Sequence, residues 1–223
     1  MVCPVCGRRG SRNPGAPPWA LVRGASYFRC LRCSYVYLDR NRLPPPEEEK
    51  ARYLLHRNDP EDPGYRAYLE DFIRKAVLPY VPPGGRILDF GSGPVPVLAR
   101  LLSDRGYRVW SYDPFFAPDR PDPADPFDLI SLHEVAEHLA RPYFELSRLA
   151  RTLAPGGRLA IRTRFAPEDP GEFRTWWYRE DPTHVGFFGS RTFSALAGRL
   201  GMWVELDDLR ELAVLRTRGD GPR

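Results

Sequence analysis

From residue 86 onward, short apolar runs alternate with amphipathic stretches. Ile87-Leu88-Asp89-Phe90 has the pattern of a brief buried strand, and residues 95–103 carry apolar positions at helical spacing. The same reading gives strands at 108–112, 128–132 and 158–162, and helices near 134–139, over 143–153 and over 192–200. Residues 203–206 and 212–215 supply two closing strands. This alternation predicts an α/β fold with a doubly wound, mostly parallel sheet. Upstream the pattern changes. Residues 26–29 and 35–38 alternate apolar and polar positions and read as a hairpin. Pro44-Pro45-Pro46 closes that segment, and Glu47, Glu48 and Glu49 then fall in the first turn of a helix, where the macrodipole favours acids. A second helix is expected over about 64–78, ended by Pro82-Pro83-Gly84-Gly85. The expected layout is a small module over 1–42, a helical connector over 43–85 and the α/β domain over 86–223.

The cysteines define the first module. Cys3 and Cys6 form one C-x-x-C knuckle, and Cys30 and Cys33 form another after a gap of 23 residues. Each knuckle brings two thiolates to one ion, and two knuckles complete a closed tetrahedral site. With its hairpin, the module resembles a zinc ribbon. A redox C-x-x-C is normally single and attached to a thioredoxin-like βαβ unit. A closed four-thiolate site has no open position, so this zinc is expected to be structural.

Charge adds one clue. The formal net charge is +4, yet residues 1–42 hold eight arginines against the single acid Asp39. A basic module on a mildly acidic body suits an anionic partner, or is simply a solvated arginine-rich surface. Apart from Lys50 and Lys75, all 33 basic residues are arginine; with 25 prolines and no glutamine, this fits a thermophile or a GC-rich genome. No apolar run approaches the roughly 20 residues that span a bilayer. Met1-Val2-Cys3-Pro4 begins no apolar leader, so a cytoplasmic protein without membrane attachment is expected.

Candidate chemistry lies where the first strand of the α/β domain meets its helix, at Asp89-Phe90-Gly91-Ser92-Gly93. Glycines there let a ligand approach the backbone closely. A dinucleotide fingerprint would need a third glycine where Pro96 stands, which counts against NAD. An acid opening the turn fits S-adenosylmethionine (SAM), which carries an ammonium group. Asp113 ends the next strand, where a carboxylate can accept both ribose hydroxyls.

Residues 86–162 resemble the class I SAM-dependent methyltransferases: 87–93, then Tyr112-Asp113, then 127–130, then Leu153-Ala154-Pro155-Gly156-Gly157 before a strand. The resemblance runs on through Asp181-Pro182-Thr183-His184 toward the end. It implies a Rossmann-like fold and SAM contacts from Asp89, Gly91, Ser92, Gly93, Asp113, Pro114 and His133. Two departures stand out. Pro94-Val95-Pro96 replaces the family's third glycine, so that turn must be shaped differently. Only fourteen residues separate Asp113 from Asp128, five of them proline, so the usual helix and third strand barely fit. Phe115 and Phe116 are either an adenine-stacking face or core.

Glu134, Glu137 and His138 stand at i, i+3 and i+4, one face of the expected helix. Two carboxylates and an imidazole suit a labile divalent ion such as Mg²⁺, or Zn²⁺. Glu-x-x-Glu-His is similar to the metal motif of ubiquinone-biosynthesis O-methyltransferases and of small-RNA 2′-O-methyltransferases; in the latter a downstream histidine, here matched by His184, completes the site. The alternative is a metal-free Glu-His pair with acids capping a helix. His184 is a better general-base candidate than His56, which falls in the connector. Trp176 and Trp177 either stack on a flat acceptor or plug the core.

Three functions follow from these residues. The first is O-methylation of a small-molecule acceptor, with His184 or His138 as base or a metal at Glu134 and Glu137. The second is an RNA methyltransferase that grips phosphates with its ribbon. The third is a SAM-binding protein without catalysis. Oligomeric state is not legible in the chain.

Overall fold

The structure is a computed structural model that describes residues 2–8, 17–55, 58–119, 121–122 and 125–219. His56, Arg9 and Arg12 lie outside the described residues. Two sheets organise the chain. β1 (Ala20–Val22), β2 (Ala25–Arg29) and β3 (Val36–Leu38) form the ribbon's antiparallel sheet. Then come α1 (Pro46–Tyr53), α2 (Pro63–Ala76), β4 (Arg86–Phe90), α3 (Val97–Ser103), β5 (Arg108–Tyr112) and β6 (Phe127–His133). The chain continues through α4 (Pro142–Ala150), β7 (Leu153–Arg162), α5 (Pro170–Thr175), β8 (Gly186–Phe187), α6 (Ser190–Leu200), β9 (Met202–Asp207) and β10 (Leu212–Thr217).

The larger sheet has the order β5-β4-β6-β7-β10-β9. Its first four strands run parallel, and β10 pairs antiparallel with β7 and β9. Successive strand residues face opposite sides. Ile87, Leu129 and Ala160 pack with α2 and α3 residues such as Phe72 and Leu102. Their neighbours Leu88, Ile130 and Ile161 pack with Leu146, Phe193 and Leu196 of α4 and α6. This is the expected doubly wound, mostly parallel α/β fold, with helices covering both faces.

Local chemistry sets the helix ends. Asp62 caps α2 by accepting from Gly64 N at 2.7 Å and Tyr65 N at 3.2 Å, with Pro63 in the first turn. Gly201, at φ +71°, ends α6 in the left-handed conformation. Pro96 precedes α3 with no side-chain cap, so α3 starts later than residue 95.

Three departures matter for the site. First, the helix expected near 134–139 is only a single 3₁₀ turn, Ala136–His138. Second, no strand lies beyond β5 among the described residues. An isolated antiparallel bridge between Asp113 and Ala117 turns the chain back there instead. Third, β8 joins the ribbon's sheet, beside β3. The ribbon is therefore built into the body: Cys3, Cys30 and Cys33 share one apolar cluster with Leu132, Phe188 and Phe193. Among the described residues, no helix is long and apolar enough to cross a membrane.

Candidate functional site

β4 is flanked by β5 on one side and β6 on the other, so the chain reverses direction across the sheet there. The crevice at the carboxyl ends of β4 and β6 is where such sheets bind ligands. Gly91 and Gly93 follow β4 at φ +80° and +67°, a backbone region that favours glycine. A Cβ on Gly91 would also lie 2.5 Å from Val135 Cγ2, in the loop after β6. Gly91 N donates to the Tyr112 carbonyl at 2.7 Å, which ties this loop to the end of β5.

Asp113 holds the turn from below. Its Oδ2 accepts from Gly93 N at 3.0 Å, and its Oδ1 accepts from Phe115 N at 2.8 Å and Phe116 N at 3.2 Å. Pro114 sits exposed in that turn. Asp89 is buried, and its Oδ1 accepts from Ser131 Oγ at 3.1 Å. Burial pushes the Asp89 carboxyl up to about 7. Ser92 Oγ is buried with no hydrogen-bond partner. A glycine cradle, an orphaned hydroxyl and a buried acid lacking a cation fit a ligand with an ammonium group. His133 points elsewhere: its ring packs against Tyr68 and Phe72 of α2, at 4.9 and 5.1 Å. Burial, with Arg162 nearby, lowers its pKa to about 3, and its Nε2 has no partner.

Across the crevice, Glu134 stands at φ +56°, which stops any helix from starting at this residue. Its N–H donates to the Arg162 carbonyl at 2.9 Å and so continues the sheet. Glu134 Oε1 accepts from Tyr68 Oη at 2.8 Å and Oε2 from Tyr178 Oη at 3.0 Å. The expected helical face of Glu134, Glu137 and His138 is therefore absent; Tyr178 joins the two acids instead, with its hydroxyl also against Glu137 Oε1. One phenol proton serves one carboxylate, so the other contact calls for a carboxyl proton. Burial, then the charge of Glu134, raises Glu137 to about 8, and burial raises Glu134 too. Burial and mutual repulsion both favour one shared proton on the pair.

Both histidines are clamped from behind. His138 Nδ1 lies 3.0 Å from the Thr183 carbonyl, and His184 Nδ1 lies 2.6 Å from the Tyr178 carbonyl. A carbonyl only accepts, so each Nδ1 carries the hydrogen, and in the neutral ring each Nε2 carries the lone pair. His138 Nε2 is 3.9 Å from Glu137 Oε1. One ligand atom each from Glu137, His138 and His184 lies within 4.8 Å of the others. A backbone carbonyl that orients the imidazole is the usual support for a metal-bound histidine. Glu137 Oε2 is buried and meets no hydrogen-bond partner at close range among the described residues, which also fits an ion. Glu134 is outside this cluster, held by its two tyrosines.

α1 closes over the crevice. Tyr53 packs edge-on to His138 at 5.1 Å and against Phe115 at 5.9 Å. Lys50 lies 5.8 Å from the Phe116 ring, and Arg52 Nε donates to Asp181 Oδ2 at 2.8 Å. The two tryptophans part company. Trp176 packs on Phe173 and Phe187, whereas Trp177 is 63 % exposed beside Arg164. Sequence reasoning missed Tyr178 and Arg162. Arg162 is fully buried and donates to Asp71 Oδ2 at 2.6 Å and to the Tyr68 carbonyl at 2.9 Å, which steadies the tyrosine that holds Glu134. The signal for Tyr178 was its place between Trp177 and His184, overshadowed by the tryptophans.

At the ribbon, the four sulfurs lie within 4.8 Å of one another. Cys3 Sγ and Cys33 Sγ are 3.6 Å apart, as are Cys6 Sγ and Cys30 Sγ. These distances exclude disulfides and are close to the ~3.8 Å edge of a tetrahedron with Zn–S bonds of ~2.3 Å.

Comparison with known proteins agrees with this geometry. Residues 64–205 match a family model described as a methyltransferase domain. No curated protein sequence matches the chain. Among solved structures, the chain is similar to one from the complex between the Haloferax volcanii Trm112 methyltransferase activator and a methyltransferase, at 14% identity and TM-score 0.52, covering 77% of this chain and 98% of that one. It is similar to an O-methyltransferase family protein from Burkholderia thailandensis, at 13% identity and TM-score 0.51, covering 70% and 57%. It is also similar to CalO1, a methyltransferase in calicheamicin biosynthesis in its SAH-bound form, at 14% identity and TM-score 0.50, covering 69% and 55%. At these identities the likeness is one of fold.

Proposed function

The chain belongs to the methyltransferase-domain family and is a SAM-dependent methyltransferase; from that premise we propose that it methylates a hydroxyl group of a small-molecule acceptor. The observation that carries this reading is the convergence of Glu137, His138 and His184 within 4.8 Å, under the Tyr53 ring that also touches Phe115 of the Asp113 turn. SAM supplies an already activated methyl group, so the protein's task is to orient, to exclude water and to handle one proton.

In this reading Asp89 balances the cofactor's ammonium, Gly91, Ser92 and Gly93 allow close approach, and Asp113 accepts from the ribose. Pro114 shapes the turn beside Asp113. His133 serves by packing, since its ring faces α2. His138 and His184 present Nε2 lone pairs that can take the acceptor's proton or hold a divalent ion. Bound there, such an ion supplies Lewis acidity that lowers the acceptor hydroxyl's pKa. Two nitrogens and one carboxylate favour Mn²⁺, Co²⁺ or Zn²⁺ over Mg²⁺. Glu134 keeps Tyr178, and through it Glu137, in place. The ribbon of residues 1–42 holds structural zinc, and α1 in the 43–85 connector covers the acceptor.

A second reading, an RNA acceptor, draws on one feature. Arg40, Arg141 and Arg199 line an open cleft of about 250 Å³ between ribbon and body, beside Tyr143 and the exposed Phe144. RNA binding that weakens steeply with salt would favour it. The metal in this reading is tested by chelation. A chelator mild enough to leave the ribbon's zinc in place should abolish methyl transfer while SAM binding survives, and Mn²⁺ should restore it. Turnover that ignores the chelator leaves His184 or His138 as a simple base and removes the metal.

A further inference from the structure

The ribbon reaches the acceptor edge through β8, and Tyr27 of β2 shares an apolar cluster with Tyr178 and Val185 there. β8 begins two residues after His184 and pairs with β3, Val36 opposite Phe187 and Tyr37 opposite Gly186. Val185 is clamped on both sides: its carbonyl accepts from Leu38 N at 2.9 Å, and its N–H donates to the Glu137 carbonyl at 2.9 Å. One residue thus joins the ribbon to the turn that carries Glu137 and His138. A second link starts at the zinc knuckle. Tyr35 follows Cys33 by two positions, is fully buried, and lies so close to Gly186 that a Cβ there would sit 1.8 Å from Tyr35 Oη. Gly186 is glycine because Tyr35 occupies its side-chain space, not because of its backbone angles. The Cys33 carbonyl accepts from Thr192 Oγ1 at 2.9 Å, and the Val5 carbonyl from Arg199 Nη1 at 2.6 Å, so α6 holds both knuckles.

The cofactor edge hangs on other supports. Asp89 bonds Ser131 of β6, Gly91 bonds Tyr112 of β5, and Gly93 bonds Asp113.

We propose that the zinc ribbon is a positioning element of the acceptor edge: zinc at the four cysteines, acting through β3 and Tyr35 on β8, sets where His184 stands against Glu137 and His138. The inference rests on the functional reading above for what that edge does, but not for whether the coupling exists. Loss of zinc, whether by chelation or by replacement of a thiol, then disarms the acceptor edge and leaves the SAM edge intact.

The test uses the full zinc-loaded chain and two independent readouts. Long-range ¹H–¹⁵N spectra report the tautomer of each of the four imidazoles, with His184 assigned by its own substitution. Calorimetry with S-adenosylhomocysteine reports the cofactor edge. In Cys33→Ser, the Nδ1–H signature of His184 should be lost or shifted and the ring signals of His133 kept, while cofactor affinity stays within about twofold, as for independent sites. Gly186→Ala should retain zinc yet reproduce the His184 change, because its new methyl must displace Tyr35. An unchanged His184 in both variants overturns the proposal. So does a collapse of every histidine signal and of cofactor binding together in both, which would make the ribbon a support for the whole fold. If the zinc-loaded protein never binds the cofactor, the functional reading fails, and the His184 spectra still decide the coupling.

Discussion

The proposed cofactor edge draws its polar groups from one stretch, Asp89 through Phe116, whose members bond one another across the β4-α3-β5 unit, except Asp89, which bonds Ser131 of β6. The acceptor edge gathers Glu134, Glu137 and His138 from the loop after β6, Tyr178 and His184 from beyond β7, Tyr68 from α2 and Tyr53 from α1. The first is held by backbone geometry, with glycines at positive φ and an aspartate that accepts three N–H groups. The second is held by side chains, buried and short of counter-charge. A local edge survives the loss of one distant support, whereas an edge assembled from four segments depends on all of them.

The largest expected effect separates the two edges outright. His184→Ala should weaken Mn²⁺ binding by more than ~100-fold, since loss of a supporting contact alone costs 10–100-fold. Electron paramagnetic titration reads the ion, and calorimetry should show SAM binding unmoved. Equal loss of both would mean the edges are not separable.

Next, Asp113→Ala should cost SAM roughly 1.5–3 kcal/mol through lost charge-assisted hydrogen bonds, and leave Mn²⁺ binding intact. A smaller loss would show that ribose finds another acceptor, such as the turn at Pro114.

The pH dependence of cofactor binding probes Asp89. Its carboxyl titrates near 7 in the free protein because burial disfavours the charge. An ammonium ligand needs the carboxylate, so affinity is full above that pH and falls as pH drops through it. At pH 5.5 SAM should bind roughly 30-fold more weakly than at pH 8.5, with proton release visible as a buffer-dependent enthalpy. Asp89→Asn should flatten this profile. A flat profile in the unaltered protein would remove Asp89 from the ammonium site. The sign for folding runs the other way: a raised carboxyl pKa makes the cofactor-free fold lose stability as pH rises from about 4 to 7.

The smallest effect lies on the lid. The Arg52 side chain is 39% exposed, so its pair with Asp181 is worth about 0–1 kcal/mol. Arg52→Ala should change SAM affinity by less than about threefold while speeding cofactor exchange, as stopped-flow fluorescence would show.

The same contrast explains what could be read from the chain. The strand-turn-helix at Asp89, Gly91 and Gly93, the strand end at Asp113 and the four-cysteine module were legible because spacing along the chain encodes them. Glu134 was misplaced because helical spacing ignores a left-handed residue; the tyrosines that hold it lie far along the chain, at positions 68 and 178. The short, proline-rich stretch after Asp113 already left little room for a third strand, and among the described residues a turn stands there. β8 is two residues long and pairs with the ribbon, so no local periodicity could announce it. His184 stood out by its motif; its clamp on the Tyr178 carbonyl needed the fold.

The central claim is tested most directly by calorimetric titration of SAM into the zinc-loaded protein at pH 8. The account predicts one site per chain with micromolar affinity, on the order of −7 to −9 kcal/mol, weakened by Asp113→Ala and untouched by His184→Ala. No heat with SAM alongside binding of NAD, or SAM binding that Asp113→Ala leaves unchanged, would contradict it.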